Sequence, residues 1–133
     1  MEKTSTIALF GEAEKGEFEK GYLCRTLPQL VEVFGNPPPN SYGLYCAVQA
    51  LLYQRDLLFF RVREEGYSYQ DYLTGLRLLE AQNVIAHVAA LCLPGVGSSK
   101  IIQVMIPFCH VHHSILITTE SDLYDYLTDF PAA

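Results

Sequence analysis

Apolar residues follow two rhythms along this chain. Short, nearly continuous runs alternate with stretches in which apolar positions recur every three or four residues. The first pattern predicts strands covered on both faces, the second helices with one buried stripe. Strands are predicted over residues 4–10, 57–62 and 114–118, and within 84–93. Residues 21–25 form a small strand or an extended link.

The helices carry start and stop signals. Thr26 is placed as an N-cap before Leu27, Leu30, Val31 and Phe34, with Pro28 in the first turn and Gly35 closing the helix. After the rigid segment 36–40, Ser41 is the expected cap for a helix with the stripe Leu44, Val48, Leu51 and Leu52. Ser68 is the expected cap for a helix to about Gln82, aligned on Tyr72, Leu76 and Leu79 and weakened at Gly75. Ser98 or Ser99 starts a helix through Ile101, Ile102, Met105 and Ile106, which Pro107 is expected to end or bend. A short acidic helix over 120–128 follows the last strand.

Strands alternating with helices of this length predict βαβ units. The expected fold is a three-layer α/β/α sandwich with a mainly parallel sheet of about four strands. Residues 1–133 make one domain, because neither flank of the Pro37–Pro39 run could bury its apolar face alone.

Composition narrows the function. With 50% hydrophobic and 18% charged residues, the chain can offset the entropy of ordering its backbone. Its net charge of -6 argues against a nucleic-acid partner. No apolar run is long enough for a transmembrane helix, which argues against a membrane partner, and the start of the chain shows no secretory signal, so a cytoplasmic protein is expected. Cys24, Cys46, Cys92 and Cys109 each sit in an apolar segment and read as buried free thiols. Beyond Lys100 the chain carries Glu120, Asp122, Asp125 and Asp129 and no Lys or Arg, which is a solvated acidic face or one half of a charge-complementary contact.

In an open parallel sheet, ligands bind at the carboxyl ends of the strands. There the sequence offers Gly11 and Glu12, then Arg63, Glu64 and Glu65, then residues 94–100, then Thr118, Thr119 and Glu120. The Gly11–Gly16 spacing suggests a phosphate loop, but Glu12 and Glu14 repel anions and no Lys-Ser or Lys-Thr follows. Gly95, Gly97, Ser98, Ser99 and Lys100 are the better ligand-binding candidates, offering free backbone N–H groups, hydroxyls and one cation to a small anion. Glu12, Glu64, Glu65 and Glu120 would suit Mg²⁺ only if strand order brought them together. His110, His112 and His113 beside Cys109 have zinc-type ligand chemistry, but ligands packed this closely rarely all reach one ion, and an ordinary helix-to-strand connection is expected. No catalytic triad can be assembled, so no catalytic residue, metal or cofactor is assigned.

Several segments taken in order resemble contractile phage tail sheath proteins. Ala8-Leu9-Phe10-Gly11-Glu12-Ala13-Glu14-Lys15-Gly16 is similar to that family's opening strand and turn. Residues 26–35, ending in Phe34-Gly35, resemble its first helix. Tyr45 to Leu52 and the strand ending in Arg61-Val62 resemble the next helix and strand, and Leu76 to Glu80 followed by Val88 to Gly95 match its helix and apolar strand ending in Pro-Gly. The order of elements agrees from about residue 6 to 118. The resemblance implies a noncatalytic subunit that works through a protein partner or self-assembly. Sheath chains are longer, with inserted domains and extended arms, so the expectation is a reduced relative or an accessory component. Leu123, Tyr124 and Leu127 are candidate interface residues, unless they pack against the sheet. The alternative is a small-ligand-binding or hydrolytic α/β enzyme using the strand-end crevice near Ser98, Ser99 and Lys100.

Overall fold

The structure, a computed structural model, describes residues 6–81 and 87–128. Thr4, Ser5, Gln82, Val84 and Asp129, which figure in the sequence expectations, lie outside the described residues. Among the described residues ten elements follow one another: β1 (Thr6–Gly11), β2 (Gly21–Cys24), α1 (Leu27–Phe34), α2 (Gly43–Leu52), β3 (Asp56–Arg61), α3 (Tyr69–Ala81), β4 (Val88–Cys92), α4 (Ser99–His112), β5 (Ile115–Ile117) and α5 (Glu120–Thr128).

The strands form one sheet in the order β2-β3-β1-β4-β5. β1 pairs in parallel with both β3 and β4, and β4 pairs in parallel with β5. The sheet has five strands rather than about four. The residue 21–25 segment is the fifth, antiparallel to β3 at one edge. Its weak signal has a physical reason: an edge strand buries little, and Leu23 stays exposed.

Alternation along β1 assigns the two cores. Ile7 and Leu9 face one helix layer with Leu57, Phe59, Ala90 and Cys92, under Leu30 and Phe34 of α1, Ala47 and Ala50 of α2, and Leu123 and Leu127 of α5. Ala8 and Phe10 face the other with Leu58, Phe60 and Leu91, under Tyr72 and Leu76 of α3 and Ile101, Met105 and Phe108 of α4. All six residues of β1 are buried, as expected of a central strand covered on both sides. Gly75 lies inside α3 because its helix backbone sits against the Phe10 ring, where a Cβ would collide. The helix penalty of that glycine is offset by close packing.

Local detail at Ser41, Ser68 and Pro107 differs from the expectation. Ser41 does not cap α2: its hydroxyl donates to the Pro38 carbonyl at 2.6 Å, and the N-cap is Tyr42, with no side-chain cap of its own. Ser68 stands at the start of α3 as expected, its carbonyl accepting the Tyr72 N–H at 3.3 Å, but its hydroxyl is engaged with the Glu64 backbone. Pro107 neither ends α4 nor opens a connection there; the helix continues to His112. Pro107 and Gln103 are both exposed, so the turn that lacks a backbone hydrogen bond lies on the solvent side of the helix. Phe108, one residue on, is buried and holds the next turn to the sheet. His110 and His112 therefore lie in the last turn of a helix, where their side chains favour the carbonyl end, and His113 closes it at φ 56°. Thr26, by contrast, caps α1 as expected, in a capping box with Gln29.

Candidate functional site

The chain runs from β1 to β3 on one side, then crosses to β4 and β5 on the other. The crevice at the carboxyl ends of β1 and β4 is therefore the switch point where such folds place ligands. In this protein the chain's own groups fill the side of the crevice next to β1 and β3, and an open cavity remains beside β4 and β5.

Glu65 is the centre of that filling. Its carboxylate accepts the Tyr42 N–H at 2.6 Å and the Gly43 N–H at 3.1 Å, the first free donors of α2. An anion at a helix start is favourable, and here the anion is a side chain from the β3–α3 turn. The same carboxylate accepts the Glu12 N–H at 2.9 Å, and the Glu65 N–H donates to the Glu12 carboxylate at 2.8 Å. Three segments after β1, before α2 and after β3 are thereby tied together. Close approach at this point requires glycine. A Cβ on Gly11 would stand 2.7 Å from the Gly43 Cα, and one on Gly43 would stand 2.7 Å from the Gly11 Cα.

Burial pushes the Glu65 carboxyl up from its ordinary value, against the pull of the hydrogen bonds from Tyr42, Glu12 and Gly43. A raised acid in a strand-end crevice is often a catalytic group. Glu65 is instead committed to backbone donors, which leaves it little freedom to exchange a proton with a substrate.

The remaining crevice candidates are engaged in the same way. Arg63 pairs with Asp71 through its guanidinium, and its N–H donates to the same carboxylate at 2.7 Å. The Arg61 and Arg63 guanidinium groups both lie on the Phe18 ring, at 4.3 and 4.2 Å. Arg61 also donates to the Gly16 carbonyl at 2.6 Å. The Gly11–Gly16 turn is no phosphate cradle: the N–H groups of Glu14 and Lys15 donate to the Phe34 carbonyl. Hydrogen bonding with Cys46, then burial, holds the Cys92 thiol well above its ordinary value, so it is no nucleophile at neutral pH. All four cysteines are free; Cys24, Cys46 and Cys92 are buried and Cys109 is half-buried.

The predicted ligand loop is only partly at the crevice. A cavity of about 270 Å³ is lined by Tyr42, Pro94, Gly95, Thr118, Thr119 and Glu120. Of the five candidates only Gly95 lines it. Ser98 caps α4, accepting the Ile101 N–H, and Lys100 lies over the Tyr69 ring at 4.3 Å. Gly97 and Ser99 belong to the same loop and helix start, with open space around Gly97. Glu12 and Glu65 come together, whereas Glu64 is exposed and Glu120 lies on the cavity wall. Among the described residues no three His, Cys, Asp or Glu side chains gather as a metal site.

On α5 the packing alternative holds. Leu123 and Leu127 are buried in the core, and of the three candidate interface residues only Tyr124 is exposed. More exposed apolar residues lie on and beside α2, among them Leu52, which is expected in its buried stripe. Tyr45 and Leu52 point outward at 55% and 62% exposure, with Tyr42 and Tyr53 at the helix ends and Val31 of α1 in the same layer. The signal was present: α2 is apolar on nearly every face, more than a one-sided helix needs.

No helix among the described residues is long and apolar enough to cross a membrane. Comparison of the chain with protein-family models, with curated proteins and with solved structures found no match.

Proposed function

We propose that this chain is a noncatalytic α/β domain that works by protein contact, as a reduced relative or accessory component of a contractile-tail sheath. The observation that carries the reading is the outward face of α2, where Tyr42, Tyr45, Leu52 and Tyr53 stand exposed along one helix. Aromatic residues on a rigid helix supply contact area at low entropic cost, and this composition is that of an interface centre. Glu65 supports the same reading, because it occupies the start of α2, at which a phosphate or carboxylate would dock. The sheath-like order of segments in the sequence supports this type of assembly.

The test is absolute mass by light scattering on a size-exclusion column, across a concentration series. A mass that is a multiple of 15.0 kDa and persists on dilution is the expected result. Tyr45→Glu with Leu52→Glu should return it to a monomer without loss of thermal stability. A strict monomer at every concentration removes self-assembly. An oligomer indifferent to both substitutions removes α2 as the contact.

A further inference from the structure

We propose that the free edge of β5 takes up an extended basic segment of a partner protein as a sixth strand. This proposal rests on the reading of the chain as a protein-contact domain but uses a different surface from α2. β5 is the last strand of the sheet, and among the described residues nothing pairs with its outer edge. Beside it runs a groove of about 640 Å³, with Ile115, Leu116 and Ile117 along the strand and Asp122, Asp125 and Tyr126 on the flank of α5. An unpaired strand edge offers main-chain hydrogen bonds to any extended chain that fits, and the flanking side chains choose which chain that is.

Charge makes the choice. Both carboxylates of the groove are exposed, and Arg55, whose guanidinium lies over the Tyr126 ring at 5.2 Å, sets one positive charge beside these two negative ones. Register adds a pattern. Ile115 and Ile117 pair with Ala90 and Cys92 and so belong to the sheet face that α5 covers, whereas Leu116 belongs to the other. An added strand would present alternate residues to those two faces. Basic residues would meet Asp122 and Asp125, and apolar residues would lie beside Leu116. A second copy fits less well. Two β5 edges would bring like charges together, and the other edge strand among the described residues, β2, is preceded by Glu17 and Glu19 as well as Lys20.

The probe is a fluorescein-labelled, acetylated heptapeptide of alternating lysine and valine, titrated by fluorescence anisotropy. Its glutamate–valine counterpart and a version with proline at the central valine serve as comparisons. Binding of the lysine peptide alone is expected. Asp122→Asn with Asp125→Asn should weaken it by about fivefold to tenfold, the scale of two exposed charge pairs. Glu32→Gln with Glu80→Gln, an equal charge change on exposed positions of α1 and α3, should leave it unchanged. Absence of binding overturns the proposal. So does equal binding of the proline peptide, or an equal loss in the Glu32/Glu80 variant, since either reduces the effect to net charge. An oligomer dissociated by Tyr45→Glu with Leu52→Glu, in a protein that ignores the peptide, removes the β5 site and leaves the contact reading standing.

Discussion

Glu12 and Glu65 exchange hydrogen bonds across the crevice: each backbone N–H donates to the other's carboxylate, at 2.9 and 2.8 Å. Glu65 also holds the first two donors of α2. Glu65→Ala should therefore destabilise the fold by about 2–3 kcal/mol, since partly buried donors lose their acceptor. Urea denaturation measures this. Glu65→Gln, which keeps one acceptor oxygen, should lose less.

The same carboxyl has an unusual pH signature. Its folded value lies above the ordinary one, so the folded state holds more protons than the unfolded state in the window above about pH 4.5. Its contribution is full below that window and is lost as pH rises through the folded value. The stability difference between wild type and Glu65→Gln should therefore shift towards wild type as the solution is acidified into this range. A difference that moves the other way would show that the hydrogen bonds outweigh the burial.

Tyr72 gives a matching expectation at high pH. Its ring is fully buried and its hydroxyl oxygen accepts the Gly66 N–H at 2.7 Å. Burial pushes the phenol far up from its ordinary value of 10.0. Stability is retained below pH 10 and declines above it, as the unfolded chain ionises first. Tyr72→Phe should cost about 1–2 kcal/mol at neutral pH through the orphaned Gly66 N–H, and should flatten the alkaline decline. Thermal melts from neutral pH to above pH 10 would show both effects.

Two glycine positions should respond in opposite ways. Gly43→Ala forces a methyl group against the Gly11 backbone and should cost about 1–3 kcal/mol. Gly97→Ala meets nothing within 4 Å and should change stability by no more than about 0.5 kcal/mol. Chemical denaturation of the two variants side by side separates the packed turn from the open one.

Thiol labelling should divide the cysteines one against three. Cys109 is only half-buried and should react in the native protein, slowly, because burial raises its thiol. Cys24, Cys46 and Cys92 should react only on unfolding. A second fast thiol would contradict the core packing around α2 and β4.

What the sequence could specify follows from how local each cause is. Continuous apolar runs placed β1, β3, β4 and β5, and the Thr26 signal placed α1, because these depend on residues near in the chain. The cap of α2 was misread because its true partner, Glu65, stands on a distant turn. Ser41 was the nearest residue of the right type, and nothing local showed that its hydroxyl turns to Pro38. Sequence leaves Pro107 free either to end α4 or to bend it; that the helix continues depends also on the exposed side on which Pro107 lies and on the anchor at Phe108. The α2 surface was hidden by the same logic, since a helix apolar on most faces reads as buried unless its neighbours are known.

The strand order also sets a sequence in time. β1 is made first, yet Ile7 rests between Leu57 and Ala90, both of which come much later in the chain. A nascent chain thus carries an apolar strand with neither neighbour until β3 emerges, and the second arrives only with β4. Such nonlocal pairing slows folding and leaves the strand open to wrong partners meanwhile. A fragment ending before β4 should aggregate, while the whole chain should fold in one late, cooperative step.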